Sequence, residues 1–244
     1  MANIHSFESM AALDGEGIRY DVFFTGCPLR CVYCHNPDTW FRSPTDYSAE
    51  EVCRKARRFK PYFRNGGGVT FSGGEPLLNA RFINEAAPIL AGDGIGYCLD
   101  TSGVVPLDDE VRRAIDGAGM VILDVKFPDP DRFRQYTGGD LARTVDVARY
   151  CSETRKRLWL RTVVVPGLND TETDMAQYAA LVRGFRFERY ELLAFHTMGF
   201  FKYEKLNIAN PLVNVDPLPQ DRLDELQRVL DALLAQIPGE ISHC

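Results

Sequence analysis

The chain has 244 residues, 45% hydrophobic and 25% charged, which is enough apolar side chain for one sizeable core and too little polar bias for disorder. Its formal net charge of -6 argues against a nucleic-acid partner, which would need a basic face to displace counterions from phosphate. No apolar run approaches the length of a membrane span, and the first ten residues lack the charged and apolar regions of an export signal, so one cytoplasmic domain over residues 1–244 with no membrane association is expected.

In chain order, β-rich runs are predicted at residues 20–24, 68–71, 97–99, 121–125, 158–165 and 190–195. The capping-box sequence Ser48-Ala49-Glu50-Glu51 predicts a helix from 48 to 58, extending toward 63. Further helices are predicted over 80–90, 109–116, 141–153, 172–183 and 221–236, with a loop at 166–170 and an irregular segment at 211–219. Runs such as VILDV and LRTVVV are nearly continuous in apolar residues, as parallel strands covered on both faces require. Strands alternating with helices imply a parallel α/β sheet, doubly wound or curved into a partial barrel, with its ligand site at the carboxyl ends of the strands.

Seven cysteines with no export signal are read as thiols rather than a disulfide framework. Cys53, Cys98 and Cys151 fit element interiors as small buried hydrophobes, and Cys244 is expected at the surface. Cys27, Cys31 and Cys34 are bunched in a Gly- and Pro-containing loop straight after the first predicted strand. Three thiolates suit either of two sites. A closed zinc site needs a fourth ligand, for which His35 is adjacent, whereas three cysteines on a cubane iron–sulfur cluster leave one iron open to bind a ligand.

The spacing C-x3-C-x2-C, with Tyr33 before the last cysteine, resembles the signature of the radical S-adenosylmethionine (SAM) superfamily. That resemblance implies a partial (β/α)6 TIM-type barrel, a 4Fe-4S cluster on Cys27, Cys31 and Cys34, and SAM as cofactor, with Tyr33, Cys34 and His35 close to it. Ser72-Gly73-Gly74-Glu75-Pro76 resembles the GGE motif of that superfamily, whose backbone and carboxylate contact the SAM amino group. By the same resemblance Asp124, Val125, Lys126, Arg161, Val163 and His196 are expected beside SAM. Asp100, Thr101, Asp124 and the Ile122 carbonyl are expected to hold a monovalent cation near the SAM carboxylate.

The segments 4–9 and 14–19, CVYCHNPDTW, GGGVTFSGGEPL, RTVVVPGLND and the His196-Thr197-Met198-Gly199 stretch with the following 202–206 are similar to the glycyl-radical-enzyme activating enzymes. Only Cys53 lies between His35 and Thr70, so no inserted ferredoxin-like segment is present and the compact pyruvate formate-lyase type fits best. The implied activity is formation of a glycyl radical on pyruvate formate-lyase, the protein substrate, with flavodoxin or ferredoxin as electron donor and the chain acting as a monomer. Asp14 is expected to contact the backbone around the target glycine, while Glu16 departs from the proline usual in the family's DGPGIR sequence. Activation of a different glycyl radical enzyme and radical chemistry on a small molecule are the alternatives within the superfamily. An iron–sulfur electron carrier would leave Gly73 to Glu75, Lys126 and His196 without a role, and a zinc-stabilised binding module using Cys27, Cys31, Cys34 and His35 is the other rival.

Overall fold

The computed structural model describes residues 1–236, so the expectation for Cys244 lies outside the described residues. Among the described residues eight strands form one sheet: β1 (Ala2–Ala11), β2 (Arg19–Phe24), β3 (Asp46–Tyr47), β4 (Gly68–Gly73), β5 (Gly96–Thr101), β6 (Met120–Asp124), β7 (Leu158–Val164) and β8 (Arg189–Ala194). Their order is β3-β1-β2-β4-β5-β6-β7-β8. The six predicted runs are β2 and β4 to β8, each parallel to the next. The sheet is open, with β3 and β8 at its edges, as in the partial barrel that the family resemblance implies.

Alternation along the strands sorts side chains between two faces. Leu99, Leu123 and Leu160 face the helices and join the main apolar core. Their neighbours Cys98, Ile122 and Trp159 point the other way, into the curve of the sheet, where with Met120 they make a small separate cluster. Two residues further along each strand, on that same inner face, stand Asp100, Asp124 and Arg161. On β5, β6 and β7 the inside of the barrel is therefore apolar toward its amino end and charged at its carboxyl end, while β2 brings Arg19 and Asp21 into the amino-end half.

The helices are α1 (Ala49–Arg57), α2 (Ala80–Gly92), α3 (Asp109–Gly117), α4 (Pro130–Thr137), α5 (Leu141–Glu153), α6 (Glu172–Val182), α7 (Phe200–Leu206) and α8 (Gln220–Leu234). The capping box of α1 is formed: Glu51 N–H donates to Ser48 Oγ at 3.2 Å and Ser48 N–H to Glu51 Oε2 at 2.8 Å. The helix stops at Arg57 rather than running toward 63, because Pro61 has no N–H to continue it and residues 60–62 tighten into a 3-10 turn. Two helices escape the periodicity reading, and α4 had a legible signal: Asp129 caps its amino end by accepting from Arg132 N–H, Pro130 opens it, and Gly138 closes it at φ 74°. Among the described residues no helix is long and apolar enough to cross a membrane.

Candidate active site

At the carboxyl ends of the parallel strands lies a cavity of about 250 Å³. Cys27, Cys31 and Cys34 line it together with Tyr33, His35, Gly73, Gly74, Asp100, Thr101, Asp124, Lys126, Val163 and Asp14. A larger recess of about 520 Å³ lies between β8 and α8, and none of the predicted site residues lines it.

The cysteine loop leaves β2 and is fixed from outside. Arg30 and Val32 N–H groups donate to the Thr137 and Tyr136 carbonyls at the end of α4, at 2.7 and 2.9 Å. The Arg30 guanidinium donates to the Cys27 and Leu29 carbonyls and lies 4.9 Å over the Trp40 ring. From α7, Tyr203 donates its hydroxyl proton to the Cys34 carbonyl at 2.9 Å. Burial pushes the Cys27 thiol up to about 11 and the Cys31 thiol to about 12, so both stay protonated unless a positively charged centre ionises them. Among the described residues no three His, Cys, Asp or Glu side chains converge on one point, as a mononuclear zinc site requires. A cluster takes each cysteine on a separate iron, so three spaced thiols in one wall fit it.

Gly73 and Gly74 meet the base of that loop. Gly74 N–H donates to the Phe24 carbonyl at 2.9 Å and Glu75 N–H to the Gly26 carbonyl at 2.8 Å. A Cβ on Gly73, whose φ is 107°, would lie 2.6 Å from the Phe24 carbonyl oxygen, and one on Gly74 would lie 2.7 Å from the Gly26 carbonyl carbon. The first reason for these glycines is thus contact between two stretches of backbone. Replacing Gly74 by alanine should force the cysteine loop away, costing about 1–3 kcal/mol as overpacking does. Iron and sulfide assays after anaerobic reconstitution should then give less than about half the wild-type content; a full complement would show that the loop tolerates the shift.

Glu75 does not line the cavity. It is fully buried beneath it, with Oε1 accepting from Leu77 N–H at 3.0 Å and from the Thr101 hydroxyl, and Oε2 accepting from Ser102 N–H and Oγ at 2.9 and 2.5 Å. Burial raises its pKa against the pull of these donors. The carboxylate is spent on tying the β4 loop to the β5 loop, and only the backbone of the glycine pair reaches the cavity.

Asp124 and Lys126 meet at 2.5 Å on the cavity wall. Burial disfavours the charged form of Lys126, but Asp124, Cys31 and Asp100 together hold its pKa above the ordinary value. Asp100 accepts from Ser72 Oγ at 2.8 Å; burial and then the neighbouring Asp124 raise its pKa, partly offset by Arg161. The Thr101 hydroxyl donates to Glu75 and accepts from Gly103 N–H at 2.9 Å. The Ile122 side chain lies with the apolar group at the barrel base and the Val125 side chain with the main core, so neither side chain is on the cavity wall.

Arg161 sits 6% exposed inside the barrel, behind the wall. It donates to the Leu13 carbonyl and stands 3.5 Å from Asp14 Oδ1 and 3.4 Å from Glu191 Oε2. His196 is also set back, but its ring stacks on His35 with centroids 3.8 Å apart. Burial, then His196, Lys202 and Lys126, lower His35 to about 4, so it is neutral at physiological pH. Sequence reasoning did not single out Phe23, Leu29, Asn36, Ser72 and Ser102, which also line the cavity and all lie inside or beside the motifs quoted above.

The model of the radical SAM superfamily matches residues 22–179. The pyruvate formate-lyase-activating enzyme of Clostridium pasteurianum is 40% identical over 238 residues, covering 96% of this chain and 99% of that protein. That of Staphylococcus epidermidis is 35% identical over 94% of this chain and 95% of its own length. Among solved structures, a radical SAM methyltransferase from Sphaerobacter thermophilus superposes with a TM-score of 0.65 at 19% identity, covering 96% of this chain and 75% of that one.

Proposed function

Because the chain belongs to the radical SAM superfamily and, within it, to the pyruvate formate-lyase-activating enzymes, we infer that it generates a glycyl radical on pyruvate formate-lyase. The observation that carries this for the chain itself is the meeting of three cysteines, the Gly73-Gly74 backbone and the Asp124–Lys126 pair in one cavity at the carboxyl ends of the strands. When bound, a 4Fe-4S cluster supplies the electron that cleaves SAM to methionine and a 5'-deoxyadenosyl radical, which takes a hydrogen atom from a backbone glycine.

The residues divide the remaining work. Cys27, Cys31 and Cys34 would hold the cluster, and the Gly73-Gly74 backbone would receive the SAM amino group, with Tyr33, His35, Val163 and, behind His35, His196 shaping the space around it. Burial and the neighbouring Asp124 disfavour the charged form of Asp100 despite Lys126 and Arg161, and a monovalent cation there would keep both carboxylates ionised. Asp14 lines the cavity and would accept from the amides flanking the target glycine. Tyr33, Leu29 and Val163 give the wall apolar surface, and they would help to exclude the water that a primary carbon radical cannot tolerate. An electron donor of the flavodoxin or ferredoxin class, monomeric action and a cytoplasmic location complete the reading.

The test is electron paramagnetic resonance on an anaerobic mixture of reconstituted enzyme, SAM, reductant and the host's pyruvate formate-lyase. A glycyl radical doublet with an equivalent of 5'-deoxyadenosine is expected. Cleavage of SAM without the doublet would remove the partner assignment, and no cleavage by fully loaded protein would remove the reaction.

A further inference from the structure

The loop over residues 12–18, between β1 and β2, crosses a gap that the sheet leaves open. In strand order, β2 is separated from β7 by β4, β5 and β6, yet this loop is tied to residues at the starts of β7 and β8. Arg157, just before β7, grips Glu16 with both arms: NH1 donates to Oε2 at 2.9 Å and NH2 to Oε1 at 2.7 Å. The same guanidinium holds Glu188, just before β8, through Nε at 2.6 Å and NH2 at 2.8 Å. Glu188 in turn accepts from the Trp159 indole N–H at 2.9 Å, so Arg157 is itself held in place.

The rest of the loop is fastened to the barrel wall. Thr70 Oγ donates to the Asp14 carbonyl at 2.8 Å, Arg161 donates to the Leu13 carbonyl, and Arg19 NH1 reaches the Glu16 carbonyl at 3.3 Å. Gly17 packs so closely on the turn before β4 that a Cβ would lie 2.6 Å from Gly67 N. Asp14 is thus one residue in a strap whose near end is fixed by backbone packing and whose far side is held by charged side chains. Glu16 stands two residues from Asp14, and its grip on Arg157 spans the opening alongside the contacts that Arg161 of β7 makes with Leu13 and Asp14.

We propose that Glu16, through its two-armed pair with Arg157, is a positioning residue that holds the 12–18 loop across the base of the open barrel and so fixes the Asp14 carboxylate at the cavity wall. The consequence for catalysis rests on the reading of Asp14 as a contact for the partner's glycine loop. An exposed ion pair alone contributes little, but a bidentate arginine shared by two carboxylates is the geometry in which such pairs hold a fixed arrangement. Glu16 touches neither the cysteines nor the Asp124–Lys126 pair, so it acts on partner binding and not on SAM.

Two measurements on the cluster-loaded protein separate the parts of this proposal. Hydrogen exchange read by mass spectrometry should show the peptide spanning 12–18 exchanging about tenfold faster in Glu16→Ala and in Arg157→Ala, with the double variant no faster than either single one. Radical-forming assays should show KM for pyruvate formate-lyase raised about three- to tenfold in Glu16→Ala, with kcat and SAM affinity within about twofold of wild type. Glu16→Pro, which stiffens the backbone without the ion pair, should restore slow exchange and low KM in the Arg157→Ala background. Unchanged exchange in Glu16→Ala would overturn the clamp, and faster exchange with unchanged KM would overturn its positioning role. If wild type forms no glycyl radical, the functional reading fails, while the exchange result still decides whether the clamp exists.

Discussion

Glu75→Ala is expected to melt on the order of 10 °C below wild type in the absence of SAM, because the carboxylate is the acceptor that joins two loops of the site. Its removal leaves Leu77 N–H, Ser102 N–H and the Thr101 and Ser102 hydroxyls facing a void 0% exposed to water. Hydroxyl protons can turn elsewhere, but the two backbone donors cannot. At about 1–3 kcal/mol for each stranded donor, and about 2–4 °C per kcal/mol for a domain of this size, the loss reaches that range. Glu75→Gln sharpens the test. Each carboxylate oxygen faces one backbone N–H, so whichever way the amide is turned its NH2 group opposes a donor, and a fall of about 4–8 °C should remain. Were Glu75 a SAM contact above all, both variants would melt near wild type without SAM and differ from it only in SAM affinity, measured by calorimetry on loaded protein.

That separation between motif and mechanism marks what the chain's sequence can convey. The cysteine spacing and the SGGEP segment were legible because each is local: a loop of eight residues presents all three thiols, and the glycines sit where β4 ends. The six parallel strands were legible because burial on both faces leaves unbroken apolar runs. The strand β1 was not, since ANIHSFESMA pairs antiparallel at the sheet's margin and has neither an apolar run nor clean alternation. What remained hidden lies between residues far apart in sequence. Nothing near Glu16 announces Arg157, 141 residues away, and nothing in the GGE resemblance says that the Glu75 carboxylate turns down toward Thr101 and Ser102. The expectation for Ile122 concerned its carbonyl; its side chain is put on the inner face by alternation, and depth along the barrel places it with Cys98, Met120 and Trp159 below the cavity.

Depth also sets the second large effect, at Asp21. This β2 residue points into the barrel, 0% exposed, and no polar group other than the neighbouring Asp14 carboxyl faces its carboxylate among the described residues. Arg19 is on the same face two residues earlier, yet its guanidinium is spent on Thr70 Oγ and the Gly66 and Val69 carbonyls. Burial, then Asp14 alongside and the charges of Asp100 and Glu8, push the Asp21 pKa far above the carboxylate range. The unfolded chain releases this proton near pH 4, while the folded protein keeps it. Between those limits the folded state binds one more proton than the unfolded state, so this group makes stability fall as pH rises, by up to about 1.4 kcal/mol per pH unit. Asp21→Asn keeps the shape of the neutral acid and removes its ionisation. Thermal melts of the two proteins from pH 6 to 8.5 should diverge steadily, with the variant on the order of 5–10 °C more stable at the alkaline end. Parallel curves would mean that Asp21 is ionised in the folded protein, and a less stable variant would mean that a cation partners it inside the barrel.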